Sequence, residues 1–303
     1  MSVGRILSWL SIAALTLATG CKGGGTSGTI SPDPSSHATN PRTAAAEASA
    51  YRDGAGVPRD DGKAVQLFGD ACDGGVAQAC GDLGAMMADG VGVPRDAARA
   101  AQLFQKACDG GDFGACARLG EMVHAGDGTT KDDGRAVDLL TRACRGGVAR
   151  ACTRQGRMVM VGAGTVKDPP RAVALYQMGC EGADIDGCEY LAEAYEDGDG
   201  VTQSLGDAVE LYDRACSSGS AVGCRQLGEM YSDGRGVARS PMRSIELWTR
   251  ACDGGDYRAC VELGKLYATG RGVRMDRERA ASLFKKACDA GMTMGCDAGK
   301  QLR

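Results

Sequence analysis

Cysteines are the side chains in this sequence of 303 residues whose number and spacing most clearly indicate chemistry. There are 15 of them, and all but Cys21 fall into pairs separated by eight residues that recur every 36 residues. So many cysteines are typical of a protein that folds in an oxidising compartment. The pairs are Cys72–Cys80, Cys108–Cys116, Cys144–Cys152, Cys180–Cys188, Cys216–Cys224, Cys252–Cys260 and Cys288–Cys296.

Disulfide formation and metal binding are the two chemistries that such pairs could serve. On one continuous helix, cysteines eight residues apart would lie about 12 Å apart, too far for a disulfide. The glycines in ACDGGDFGAC (107–116) instead predict a turn between two antiparallel helices, which would bring the cysteines together. Structural zinc sites use closer pairs and combine two of them. The pattern therefore favours seven local disulfides, each worth roughly 2–3 kcal/mol, and no metal or other cofactor is expected.

Two histidines and one serine–lysine pattern are the other candidates for catalysis. His37 lies in a polar segment and His124 ends a predicted helix, and neither belongs to a zinc motif or to an evident triad. Ser282 and Lys285 match the S-x-x-K pattern of serine β-lactamases and penicillin-binding proteins, but the companion S-D-N and K-T-G motifs are absent from the sequence. The sequence names no catalytic residue, and we expect a protein that is not an enzyme.

The cysteine pairs belong to a repeat that predicts two helices per unit, A and then B. In the unit at 79–114, Ala100, Leu103, Phe104 and Ala107 form one apolar stripe, and Gly90 suits a left-handed helix end. We predict eight A helices and seven B helices. A side-chain N-cap precedes every B helix, at Asp60, Asp96, Asp132, Asp168, Ser204, Ser240 and Asp276.

The first 43 residues have a different composition and predict export. Residues 1–20 have the charged start and short apolar run of a signal peptide, and residues 18–21 (ATGC) resemble the lipobox of bacterial lipoproteins. Lipidation of Cys21 is one interpretation, and simple secretion with a free thiol is the other. Residues 21–43 are rich in Gly, Ser, Thr and Pro and predict a flexible tether. Residues 44–303 form the repeat domain, which we expect in the cell envelope, at the outer membrane or in the periplasm.

The repeat resembles a known family. LGEMYSDGRGV (227–237) followed by SIELWTRACDGGD (244–256) is similar to the Sel1-like repeats, which are related to tetratricopeptide repeats, and the paired cysteines resemble the secreted Helicobacter cysteine-rich branch. The resemblance implies a right-handed α/α solenoid whose A helices line the concave side. It implies scaffold or adaptor work on proteins or peptides. Some relatives are assigned penicillin binding or weak β-lactamase activity, which makes a β-lactam-directed protein the alternative.

Charge along the A helices indicates where a partner could bind. The net charge of −4 and the lack of a basic run argue against nucleic acid as a partner. Arg157 and Glu193 occupy equivalent positions of adjacent units, so they are expected to face each other. The pattern favours either an inter-repeat salt ladder or a binding groove of both signs in which Tyr190 is an anchor. Its residues are Arg150, Arg154, Arg157, Glu189, Tyr190, Glu193 and Glu196.

Overall fold

A computed structural model describes residues 40–302 of the chain. The predicted signal peptide, the candidate lipidation site Cys21 and nearly all of the tether lie outside these described residues. The first helix begins at Pro41 and is capped by Asn40, whose side chain accepts a hydrogen bond from the Arg42 amide. Helical structure thus begins three residues before the repeat domain predicted at 44.

The described residues form fifteen α-helices and contain no strand. Odd-numbered helices are the A helices and even-numbered helices are the B helices, eight and seven as predicted. None of these helices has the length and apolar character needed to cross a membrane. The helices are α1 Pro41–Asp53, α2 Asp61–Asp73, α3 Ala77–Asp89, α4 Ala97–Asp109, α5 Phe113–Ala125, α6 Asp133–Arg145, α7 Ala149–Val161, α8 Pro169–Glu181, α9 Ile185–Asp197, α10 Leu205–Ser217, α11 Ala221–Asp233, α12 Pro241–Asp253, α13 Tyr257–Thr269, α14 Arg277–Asp289 and α15 Thr293–Gln301.

Local signals set the ends of these helices. All seven predicted N-caps accept a hydrogen bond from the backbone three residues on, as Asp60 does from the Lys63 amide at 2.9 Å. The A helix α3 ends at Gly90, which is left-handed with φ of 72°, a conformation that glycine adopts at little cost. These start and stop signals keep each helix short, so that it forms one of the two helices of a helical hairpin.

Seven disulfides join the end of each B helix to the first turn of the next A helix. Their Cα–Cα distances are 4.5–4.8 Å, and each bond closes the eight-residue separation seen in the sequence. Within residues 40–302 no group of three potential ligand side chains is arranged to hold a metal ion. The prediction of a disulfide-linked α/α solenoid is confirmed, and the disulfides link consecutive units.

The core is built from large B-helix side chains set against small A-helix residues. The Phe104 ring lies so close to Gly84 that a Cβ at that glycine would come within 3.1 Å of it. The buried apolar residues form two clusters, one from Ala44 to Ala215 and one from Ala192 to Ala287. Helix α9 contributes to both clusters, so it stands where the two parts of the core meet.

Candidate binding pocket on the A helices

A cavity of about 530 Å³ opens where the C-terminal halves of α5, α7 and α9 lie side by side. We call it the α7–α9 pocket. Because three helices end around it, their carbonyl ends add partial negative charge to its surroundings. The side chains that matter below are Arg157, Met160, Val161, Tyr176, Tyr190 and Glu193.

Two tyrosines and an arginine form the stacked centre of the pocket. The Tyr190 ring lies 5.4 Å from the Tyr176 ring, centroid to centroid, with a tilt of 30°. The Arg157 guanidinium carbon is 5.1 Å from the Tyr190 centroid, within cation–π range. Burial raises the pKa of Tyr176 to about 12, so its hydroxyl stays neutral at physiological pH. The stack is therefore a rigid aromatic floor and offers no phenolate for chemistry.

Two of the three predicted groove arginines are engaged in a ladder between units. Arg150 Nε lies 3.4 Å from Glu121 Oε1, and Arg154 Nε lies 3.6 Å from the same oxygen. Arg154 also approaches Asp186 at 3.7 Å, so the ladder runs from α5 through α7 to α9. These pairs are partly exposed to water, and such pairs contribute little to stability. For Arg150 and Arg154 the structure matches the salt-ladder interpretation.

Two of the three predicted groove glutamates have partners on the other side of α9. Glu189 accepts a hydrogen bond from the Ser220 hydroxyl. Glu196 accepts one from the Tyr212 hydroxyl at 3.0 Å and forms an ion pair with Arg235. We call this side, between α9 and α11, the α9–α11 joint. Both glutamates help to hold neighbouring units together, because each contacts a residue of the next unit.

Glu193 is the carboxylate that lacks such a partner. Within the described part of the chain it has no hydrogen bond or ion pair. Its pKa is raised, mainly because burial disfavours the charged carboxylate and secondly because Glu189 and Asp197 repel it. The expected pairing of Arg157 with Glu193 is not made, although both side chains line the pocket. The physical reason is the Tyr190 ring, which holds the Arg157 guanidinium instead. The predicted groove thus separates into paired residues and a smaller unpaired set.

An apolar edge completes the pocket on the α7 side, and the sequence analysis missed it. Met160 and Val161 line the pocket, and Val161 is 72% exposed although it is a large apolar residue. The signal was present in the repeat, because the position of Val161 is aspartate in four other units, at Asp53, Asp89, Asp197 and Asp233. An exposed apolar residue at a position usually occupied by a charge is typical of a contact surface.

The residues with catalytic potential do not form a reactive centre. His124 lines the pocket and its Nδ1 lies 2.7 Å from Asp133 Oδ1, but the side chains that line the pocket include no serine, cysteine, threonine or lysine. A histidine–carboxylate pair needs a nucleophile beside it to perform acyl transfer. Ser282 is exposed on α14, and Lys285 forms an ion pair with Asp289 at 2.6 Å. The pocket geometry supports binding.

Comparisons with known proteins match this architecture. The model of the Sel1 repeat matches residues 44–76, 77–112, 114–148, 149–184, 185–220, 221–256 and 258–292. No curated protein sequence matches the chain significantly.

Three solved structures of Sel1-type proteins are similar to this chain. A Sel1 repeat protein from Oxalobacter formigenes shares 27% identity at a TM-score of 0.74, covering 87% of this chain and 76% of its own. The Escherichia coli protein c5321, a protective antigen of uropathogenic strains with an SLR fold, shares 27% identity at a TM-score of 0.73 over 83% of this chain. This chain spans about half, 54%, of that protein. Helicobacter pylori cysteine rich protein B shares 25% identity over 43% of this chain and 93% of its own, at a TM-score of 0.36.

Proposed function

Because this chain belongs to the Sel1 repeat family, we propose that it is a noncatalytic scaffold or adaptor that binds proteins or peptides through its A helices. Sel1 repeat proteins generally mediate protein interactions. Repeat solenoids present extended surfaces on a fixed framework, so a partner can be recognised by side chains that vary from unit to unit. The seven disulfides stabilise such a framework, because each one restricts the unfolded chain.

The observation that carries the proposal is the unpaired chemistry of the α7–α9 pocket. Its centre presents Tyr190 with Arg157 stacked on it, its α9 side presents Glu193 without a counterion, and its α7 side presents exposed Val161. Aromatic residues and arginine are enriched where protein interfaces bind most tightly. Elsewhere on the same helices the corresponding charges are paired, which makes this pocket the favoured place for a partner.

The proposal places the protein outside the cytoplasm. Seven disulfides are typical of proteins that fold in an oxidising compartment. We propose further that Cys21 is lipidated, so that the residues from 22 up to the start of α1 tether the solenoid to a membrane of the bacterial envelope, with the outer membrane or the periplasm as its location. Neither nucleic acid nor a cofactor is part of the proposal. Hydrolysis of β-lactams is not proposed, because Ser282 lies on an exposed helix face away from the pocket.

Site-specific photo-crosslinking in the cells that produce the protein tests this function. A photoreactive phenylalanine at Val161 on α7 would face a bound partner, and the same group at Met178 on α8 is the matched control, because both residues are exposed and belong to one unit. We expect a discrete crosslinked product from position 161 and none from position 178. Products of equal yield from both positions, or from neither, would contradict binding through the A helices.

A further inference from the structure

The charges left unpaired in the α7–α9 pocket have one predominant sign. Of its two arginines, Arg154 is paired with acidic residues and Arg157 is held on the Tyr190 ring. On the α9 side, Glu193 and Asp199 make no ion pair with any described residue. The carbonyl ends of α7 and α9 add further negative potential in the same place.

Apolar surface lies across the pocket from these carboxylates. Met160 and Val161 end α7, and Ala163 follows in the loop, so the two sides of one cavity differ in chemistry. A partner complementary to both sides carries a positive charge and an aliphatic side chain close together. A cavity of about 530 Å³ accommodates side chains of a peptide, and its open mouth leaves room for a main chain to pass across the ends of the helices.

We propose that the α7–α9 pocket recognises a peptide segment of its partner in which a lysine or arginine lies beside an aliphatic residue. The basic side chain reaches Glu193 and the carboxylates Asp197 and Asp199 at the end of α9. The aliphatic side chain packs against Met160 and Val161. This inference rests on the proposed function and gives the chemistry of its partner.

The energetic argument favours a cation over the alternatives. Glu193 lies near the carboxylates Glu189, Asp197 and Glu196 of its own helix and forms no ion pair with a described residue, so repulsion between these charges raises the free energy of the unbound pocket. An incoming ammonium or guanidinium group supplies the missing counterion in surroundings where water screens charges less than it does at an open surface. An acidic segment would meet repulsion from the same groups, and a purely apolar one would leave the carboxylate without a partner.

Selection from random peptides tests the inference directly. Phage-displayed peptides of random sequence are panned on the purified, oxidised protein, and the enriched sequences are synthesised for affinity measurements. We expect enrichment of sequences with Lys or Arg within two residues of Leu, Ile, Val or Met. Replacing the basic residue of the best peptide with norleucine should weaken binding about tenfold, and added salt should weaken the parent peptide more than the norleucine peptide.

Two protein variants show whether the selected peptides use this pocket. Glu193→Gln should weaken binding of the best peptide about tenfold. Glu181→Gln, which removes an exposed carboxylate on α8 of the preceding unit, should leave affinity within about twofold. Equal effects of the two variants would mean a general charge effect and would overturn the inference.

The outcomes also separate this inference from the proposed function. Enrichment of acidic or purely apolar peptides, or peptide binding that Glu193→Gln does not weaken, overturns recognition of a basic side chain by the pocket. Crosslinking at position 161 can still support binding by the A helices. Self-association of the protein that is lost in Glu193→Gln would identify a second copy as the occupant and would also overturn it. A lack of any enriched peptide together with no crosslink at position 161 contradicts both proposals.

Discussion

The two sides of helix α9 differ in how their charged groups are satisfied. On the α9–α11 joint, Glu196 accepts a hydrogen bond from Tyr212 and forms an ion pair with Arg235. Between the next two units, Arg225 forms an ion pair with Asp256 at 2.9 Å. In the α7–α9 pocket, Glu193 has no such partner. The residues come from one helix and one repeat pattern, so the difference arises from the neighbours that each side meets.

This contrast distinguishes groups that stabilise the solenoid from groups that are available to a partner. A buried or half-buried charge with a partner on the next unit makes the joint between units specific. Glu193 is exposed and has no partner, but the carboxylates beside it on α9 repel its charge, and evolution tolerates such a cost at binding sites. We therefore expect substitutions on the joint to lower stability and substitutions in the pocket to lower binding.

The largest expected effect is the loss of Arg225, which joins α11 to the start of α13. Its side chain is 12% exposed and it forms ion pairs with Glu229 and Asp256, so Arg225→Ala leaves carboxylates without their counterion. We expect a loss of about 3 kcal/mol in the free energy of unfolding, measured by urea denaturation. The matched change in the pocket, Arg157→Ala, removes a cation–π contact and should cost less than about 1 kcal/mol. Equal losses would show that the pocket arginine also holds the fold together.

A smaller effect is expected where the aromatic floor packs against α7. A Cβ on Gly156 would come within 2.7 Å of the Tyr176 ring, whereas the equivalent residue on α9 is already Ala192. Gly156→Ala should therefore displace Tyr176 and cost about 2 kcal/mol. The near-ultraviolet circular dichroism of the tyrosines should change while the helical signal stays. An unchanged tyrosine signal would mean that the floor is not fixed by this contact.

The turn that leads into α9 offers the next effect. Ala183 has φ of 66°, whereas the equivalent residue in the other six turns is a glycine with φ of 85° to 97°. Because a left-handed conformation is strained for alanine, Ala183→Gly should stabilise the protein by about 0.5 kcal/mol. The reverse change in the preceding unit, Gly147→Ala, should destabilise it by about 1 kcal/mol. Thermal unfolding compares the two, and a loss of stability in both would contradict this account of the turn.

The fold could be predicted from the sequence because its determinants are local. The N-cap at Asp60, the left-handed glycine at Gly90 and the cysteine pairs each act within about ten residues, and the repeat presents each of them seven times. The structure adds that each disulfide lies at a junction between units. The start of the first helix differs from the predicted domain start at residue 44, because Asn40 and Pro41 provide a start signal that the repeat itself lacks.

The pocket could be predicted only in part, because partner choice depends on the reach of side chains. The sequence placed Arg157 and Glu193 at equivalent positions, but equivalence does not show that the Tyr190 ring holds the arginine. Tyr176 occupies the repeat position of Phe104 in the apolar stripe and is buried like it, yet the contact with Tyr190 also makes it the floor of a cavity. Val161 was detectable, since a valine replaces the aspartate of four sibling units.

The effect of pH on Glu193 follows from the sign of its shift. Its pKa is raised because burial and the carboxylates Glu189, Asp197 and Glu196 disfavour the charged form, while Arg225 on α11 partly offsets them. The stability associated with the neutral form is fully present below the ordinary glutamate pKa of about 4.3 and is lost as pH rises through the raised value. Glu193→Gln should therefore stabilise the protein at neutral pH, and this advantage should vanish on acidification.

Stability and peptide affinity measured together for two carboxylate variants test the central claim most directly. At neutral pH we predict that Glu193→Gln raises the free energy of unfolding by about 0.3 kcal/mol, because solvent screens an exposed charge, and weakens binding of the selected basic peptide about tenfold. Glu196→Gln, which breaks the pair with Arg235, should lower the free energy of unfolding by about 1 kcal/mol and leave binding nearly unchanged. If Glu193→Gln instead destabilises the fold and binds the peptide as well as the wild type does, the pocket is part of the scaffold and the account is wrong.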